Sequence, residues 1–334
     1  MRNTYLVMGT GALGAHIGSL LHRSEKAVVF HCRSNYSAIQ QSGLTVSDQE
    51  QSWTSYNLLL SNELATALPC SVGLLCIKSY ENDNLLCELA KINYPKIIIC
   101  MQNGIGIEEK ILQYLPDVTV ISAVSFIKVT PKSKNHFHHN FGNTVALAQY
   151  NPSTKKYLEN TEILSKIKMD FISAGITVNS KKFKDVLWTK LAFNVPLCLL
   201  SIIYNQSTTA LVRDDNFRAR FFQLLKEIEM IAQKEGADID LLFIMADLKR
   251  FSSTKTEVFH SMKTDFDNNK RIESEAMFDN VIKIARKHNL QTPLLDQAMH
   301  QLSYKRSISA IINSKKVACR SGEDSYVSFL RSSL

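Results

Sequence analysis

A chain of 334 residues, 45% hydrophobic and 21% charged, has the composition of a soluble protein long enough to bury a sizeable core, divided between two domains. Its 39 basic and 31 acidic residues leave a net charge of +8, a modest excess with no groove-reading motif or basic-aromatic stripe, so nucleic acid is not an expected partner. Glycine is scarce at 12 residues, yet Gly9, Gly11, Gly14 and Gly18 crowd together near the N-terminus, which calls for a local cause.

In chain order, residues 5–8 form a short apolar run that ends at Gly9. Residues 12–23 then place Leu13, Ile17, Leu20 and Leu21 at helical spacing, and residues 27–30 form a second apolar run ending in His31-Cys32-Arg33. Strand, turn, helix and strand make one βαβ unit of about 30 residues. The unbroken apolar runs at 72–77, 97–101 and 118–123 lack polar alternation, as buried parallel strands do. The first half therefore reads as an α/β domain of Rossmann type with a parallel-rich sheet.

Beyond residue 151 the periods lengthen. A helix is expected at 157–173, another through Phe221, Leu224, Leu225, Ile228, Ile231 and Ala232, and another through Met277, Val281, Ile284 and Ala285. The expected division is an α/β domain over 1–180, an all-helical domain over 181–309 and a basic tail over 310–334. From Lys305 onward, Lys305, Arg306, Lys315, Lys316, Arg320 and Arg331 face only Glu323 and Asp324.

Seven cysteines (Cys32, Cys70, Cys76, Cys87, Cys100, Cys198 and Cys319) show no CxxC spacing. They read as buried reduced thiols of a cytoplasmic protein, with neither a disulfide frame nor a metal site. The longest apolar stretch, residues 195–204, is about half of the roughly 20 residues a bilayer span needs, so no membrane span is expected.

Gly9-Thr10-Gly11-Ala12-Leu13-Gly14 is a GxGxxG turn placed where a strand becomes a helix. The first glycine makes the turn, the second admits a pyrophosphate to the backbone N–H groups, and the third lets helix and strand pack closely. The context predicts a dinucleotide site. At the end of the second strand an NAD site usually offers a carboxylate to the ribose, whereas this chain offers Arg33 and no acid between Lys26 and Asp48, which favours NADP(H) over NAD(H).

Lys78 follows one buried strand and Gln102-Asn103-Gly104 closes the next, so both reach the sheet edge that carries the glycine turn. Lys190, Asn194 and Cys198, four apart, share one helix face. A desolvated Lys190 could donate a proton during carbonyl reduction, and a lysine whose stem merely snorkels along apolar surface fits the composition equally well. Glu273 lies eleven to twelve residues after Ser261-Met262 and could be a site acid or a first-turn acid complementing a helix dipole.

Taken together, the turn, Lys78, Gln102-Asn103-Gly104, Trp188-Thr189-Lys190-Leu191-Ala192-Phe193-Asn194, and Ser261-Met262 with Asp265 and Arg271-Ile272-Glu273 resemble the ketopantoate reductase (2-dehydropantoate 2-reductase) family from Tyr5 to about Pro293. That resemblance implies an NADPH-dependent reduction of a 2-oxo acid to a 2-hydroxy acid, with ketopantoate of pantothenate and coenzyme A biosynthesis as the leading substrate. It implies that Lys190 protonates the ketone oxygen and that Glu273 holds substrate and cofactor groups. Asn103 and Asn194 would bond the substrate, Ser261 would contact its carboxylate, Lys78 would lie near both ligands and Asn103 near the cofactor. Arg33 matches the position that reads the 2′-phosphate. The oligomeric state stays open, a homodimer included.

Four positions depart from the family pattern. Cys198 stands where a second asparagine contacts the substrate hydroxyl, and a thiol is a weak donor and acceptor. Pro196 interrupts the hydrogen bonding of the same helix and is expected to kink it. Asn280 and Ala148 each replace a glycine. The altered wall at Cys198 leaves room for a paralogue acting on another 2-oxo acid, and the alternative of a different class is a non-catalytic NADP-binding sensor or interaction protein, against which the retention of both Lys190 and Glu273 speaks.

Overall fold

The computed structural model describes residues 3–320 apart from 68 and 93, and omits the side chains of 66 and 309–320. It opens with β1 (Thr4–Met8), α1 (Ala12–Arg23), β2 (Ala27–His31), α2 (Tyr36–Ser42), β3 (Leu44–Ser47), β4 (Ser52–Ser55) and β5 (Leu59–Ser61). There follow β6 (Val72–Leu75), α3 (Asn82–Ile92), β7 (Ile97–Cys100), α4 (Ile107–Tyr114), β8 (Thr119–Pro131), β9 (His136–Asn151), β10 (Lys156–Leu158), α5 (Glu162–Ser173) and β11 (Thr177–Val178). Helices complete the chain: α6 (Phe183–Tyr204), α7 (Thr208–Leu211), α8 (Asp215–Lys234), α9 (Leu241–Ser253), α10 (Ser261–Asp267), α11 (Asn280–Lys287) and α12 (Pro293–Arg320).

Two compact units result. The first comprises Met1–Leu191, Glu235–Asp240 and Glu273–Val281, and the second Ala192–Lys234, Leu241–Ile272 and Ile282–Leu334. The chain thus crosses between units inside α6, eleven residues beyond the boundary expected at 180, and returns twice. The division expected at 310 does not coincide with a break either, because α12 runs through it to Arg320. Residues 321–334 of the expected tail lie outside the described residues.

The first unit is built on a mixed, mostly parallel sheet in the order β4-β3-β9-β8-β7-β6-β1-β2-β5, with β10 and β11 pairing β9. Its centre follows from alternation along β1. Tyr5 and Val7 join the cluster containing Ile17, Leu21, Val28 and Phe30, while Leu6 and Met8 face the opposite cluster with Leu86, Leu89 and Ile98. A strand covered on both faces has no room for polar residues, hence the unbroken run. Because β1 pairs in parallel with both β2 and β6, the chain order reverses beside it, which opens a crevice at the carboxyl edge. The helix expected at 157–173 begins only at Glu162. Tyr157 instead pairs with Tyr150 in β10, and Thr161 caps α5 by accepting from Leu164 N.

Among the described residues, the regular elements of the second unit are all helices, joined by loops such as 254–260. Phe221, Leu224, Leu225, Ile228 and Ile231 of α8 are buried, and Phe193 packs against Phe221 and Phe251 with ring centroids 6.1 and 6.2 Å apart. Glu227, also buried, accepts from Leu294 N at 2.9 Å and Leu295 N at 2.8 Å, satisfying amides at the start of α12 that no helical carbonyl reaches. With 22 residues, α6 is long and apolar enough to span a bilayer, but 83% of its most apolar window is buried within the protein, so its hydrophobicity serves the core. It continues through Pro196 without interruption. Cys87 is exposed, unlike the other described cysteines, because it falls on the outer face of α3.

Candidate active site

The glycine turn has the shape its spacing predicts. Gly9 adopts φ +100°, and a Cβ there would lie 2.6 Å from the Ile77 side chain and 2.9 Å from Ile77 N. A Cβ on Gly14 would collide with Gly9 O, so strand and helix touch through hydrogens alone. At Gly11 the result is opposite: a Cβ would meet nothing within 4 Å. Gly11 caps α1, whose first turn holds no acidic residue. An open, acid-free helix N-terminus reached over glycine is a fit for a pyrophosphate, with the N–H groups of residues 11–14 as donors.

Thr10 contributes to the turn differently. Its buried hydroxyl donates to His31 O at 3.2 Å, and Asn35 Nδ2 donates to Thr10 O at 2.6 Å, so the second strand's end pins the turn. Ala12 and Leu13 begin α1 and are half-buried. Arg33 lies two residues past β2, exposed, with one guanidinium nitrogen 3.8 Å from Glu81 Oε2. Asn35 carries no sequence signal beyond its closeness to Arg33.

Farther along the same edge, four of the predicted residues meet in pairs within the first unit. Lys190 Nζ donates to Asn103 Oδ1 and to Ser125 O, each at 2.7 Å, and lies 5.8 Å from the Phe126 ring centroid. The ammonium is therefore turned inward onto an amide and a carbonyl, which answers the snorkelling alternative. Burial pushes its pKa down to about 8, with the Glu273 charge opposing the shift. Lys78 Nζ donates to Glu273 Oε2 at 3.1 Å, and Ser79 N donates to Glu273 Oε1 at 3.0 Å. The buried Glu273 carboxylate is thus engaged by the loop after β6. Gly104, at φ +113°, lets the Asn103 loop approach Ala276, where a Cβ would lie 2.5 Å from the carbonyl oxygen. Ser125 and Ser79 act through backbone atoms, which no side-chain pattern announces.

Two family models match the chain: ketopantoate reductase PanE/ApbA over residues 5–152, and its C-terminal counterpart over residues 182–306. The chain belongs to the ketopantoate reductase family. With that membership it is an oxidoreductase of the type acting on 2-oxo acids. A 2-dehydropantoate 2-reductase of Nostoc sp. is 29% identical over 306 residues, covering 90% of this chain and 94% of the relative. In fold, the chain matches a 2-dehydropantoate 2-reductase of Geobacter metallireducens with a TM-score of 0.81 at 22% identity, over 90% of this chain and 99% of that one. It also matches a D-mandelate dehydrogenase, solved with NADH and anilino(oxo)acetate, with a TM-score of 0.77 at 17% identity, over 91% and 98% of the two chains.

Measured against the ketopantoate reductase pattern, the remaining predicted residues fall in the second unit. Asn194 is buried one turn after Lys190 on α6, and Cys198 is fully buried one turn later. Cys198 Sγ lies 3.1 Å from His260 Nδ1, so the family's amide is replaced by a thiol–imidazole contact. His260 also caps α10, accepting from Met262 N, and Ser261 is the exposed first residue of that helix. Asn280, in place of a glycine, uses its amide in the first unit by donating to Ile105 O at 2.8 Å. Ala148 is buried within β9, where it pairs with Ser122.

Proposed function

We propose that the protein reduces a 2-oxo acid to the 2-hydroxy acid with NADPH, and that ketopantoate is the substrate to test first. The observation that carries the reading is the Lys190 ammonium, held by Asn103 and Ser125 at the carboxyl edge of a sheet whose glycine turn suits a dinucleotide. NADPH, when bound, supplies the hydride to the carbonyl carbon. Lys190 Nζ gives its proton to the oxygen on which negative charge develops, and solvent returns that proton afterwards. A proton donor with a pKa near 8 is matched to work at neutral pH, unlike an ordinary lysine. Asn103 fixes the direction of the ammonium. Glu273, tied to Lys78 and Ser79, holds a negative charge near Lys190 that keeps it protonated in the resting site. The turn from Gly9 through Gly14 takes the pyrophosphate, and Arg33 takes the 2′-phosphate.

Oxidation of NADPH followed by absorbance, first with ketopantoate and then with a panel of 2-oxo acids, tests the reading. Turnover with at least one of them is expected, whereas tight NADPH binding without any turnover sinks the enzymatic reading. The Cys198–His260 contact favours a second reading of the substrate alone, a 2-oxo acid lacking the hydroxyl that the family's asparagine would bond. Discrimination by a lost hydroxyl contact can reach about 10⁴-fold, so the panel decides between the two.

A further inference from the structure

The carboxyl edge of the first unit's sheet is lined in strand order. Arg33 follows β2, the glycine turn follows β1, Lys78 follows β6 and Asn103 follows β7. The parallel pairing of β7 with β8 ends at Cys100 and Ser122, and β8 continues past that edge through Ser125, Phe126 and Lys128. At about 4.8 Å per strand, β8 stands about 19 Å from β2, so Lys128 lies at the opposite end of the row from Arg33.

The orientation of Lys128 follows from the β8–β9 register. Phe126 pairs Thr144, Lys128 pairs Phe141 and Val129 pairs His139, so the residues inserted at both shifts belong to β9. Gly142, at φ +76°, permits this, because a Cβ there would collide with Phe126 O. Strand β8 itself carries no insertion, and Phe126 and Lys128, two apart, keep to one face. That is the face on which the Lys190 ammonium lies against the Phe126 ring. Lys128 is half-buried, and burial together with the Lys78 charge disfavours its protonated form. Lys128 thus lies on the face that Lys190 approaches, with its charge and that of Lys78 opposing one another. Opposed like charges in a partly desolvated place are stabilised by an anion.

We propose that Lys128 is a substrate-binding residue that receives the carboxylate of the 2-oxo acid, at the end of the row farthest from the 2′-phosphate position. The inference rests on the functional reading above. It gives the acid group of the substrate a cationic partner that the family resemblance, which names Ser261 for that group, does not include, and it makes Lys128 a determinant of acid over neutral carbonyl substrates.

The test is steady-state kinetics of the wild type, Lys128→Gln and Lys128→Arg with the best 2-oxo acid of the panel, alongside NADPH titrations by fluorescence and thermal melts. Lys128→Gln is expected to raise KM for the 2-oxo acid at least tenfold, to change kcat less than threefold and to leave the Kd for NADPH within twofold. Lys128→Arg should recover most of the lost KM, which a merely structural role would not predict. An unchanged KM in Lys128→Gln overturns the proposal, and so does a parallel loss of NADPH affinity, which would assign Lys128 to the cofactor's phosphates. If Lys128→Gln fails to fold, an unchanged KM in Lys128→Arg together with an unchanged preference for acid over neutral carbonyl substrates overturns it. A wild type inactive on every 2-oxo acid overturns the functional reading itself, an outcome separate from an active wild type with an indifferent Lys128.

Discussion

Lys190 is a lysine whose ordinary pKa of 10.5 would keep it a poor proton donor at neutral pH, and its burial changes that by bringing the value to about 8. The sign sets a pH profile. The protonated acid is present below about 8 and lost above it, so kcat/KM for reduction is expected to be flat through neutrality and to fall tenfold per pH unit above about 8. A profile that stays flat to pH 10 removes Lys190 from the proton-donor role. Lys190→Ala is expected to lower kcat by about two or more orders of magnitude while melting near the wild type, as loss of a general acid does. Arg33, exposed and only loosely paired with Glu81, should matter to one ligand alone. Arg33→Ala is expected to raise KM for NADPH several-fold with KM for NADH unchanged, and an unaltered preference between the two would assign the phosphate to another residue.

Among the elements, the turn from β1 into α1 separates fold from ligand more cleanly than any other. Gly14 has no space for a Cβ and Gly11 has open space, although both occur in one motif. Gly14→Ala overpacks the strand–helix contact, a cost of about 1–3 kcal/mol that lowers Tm by several degrees. Gly11→Ala should melt within about 2 °C of the wild type and yet weaken NADPH at least tenfold, measured by fluorescence titration, because the added methyl enters the pyrophosphate's place. Equal effects of the two substitutions on Tm would contradict the assignment. This motif was readable from spacing because strand, turn and helix are local. The ends of β6 and β7 were readable too, since a polar residue after an unbroken apolar run marks a buried strand's edge. Asn35, Ser125 and Ser79 were not, because two act through backbone atoms and the third through a turn whose geometry only the fold creates. The helix expected from residue 157 failed for a related reason: Tyr157 answers to its cross-strand partner Tyr150, which periodicity within one segment cannot register.

At the scale of the molecule, the candidate residues are distributed over both units, with Asn194, Cys198 and Ser261 in the second. The first holds the glycine turn, Lys78, Asn103, Lys190 and Glu273, although Glu273 comes from a segment far along the chain. A single boundary near 180 was the natural reading of a change in periodicity, but the chain's returns at Glu235–Asp240 and Glu273–Val281 depend on tertiary packing and leave no mark in composition. In the second unit, Glu227→Ala removes both acceptors from the start of α12 and is expected to cost about 1–3 kcal/mol in urea unfolding. NADPH affinity should stay within twofold, and a larger change would mean that cofactor binding draws on the second unit's packing. The central step of the proposed reaction is hydride transfer to the carbonyl carbon of a 2-oxo acid. Turnover with NADPH deuterated at the transferred position of the nicotinamide, followed by mass spectrometry of the product, tests it directly: one deuterium at C2 of the 2-hydroxy acid is predicted, and unlabelled product or no product from any 2-oxo acid contradicts it.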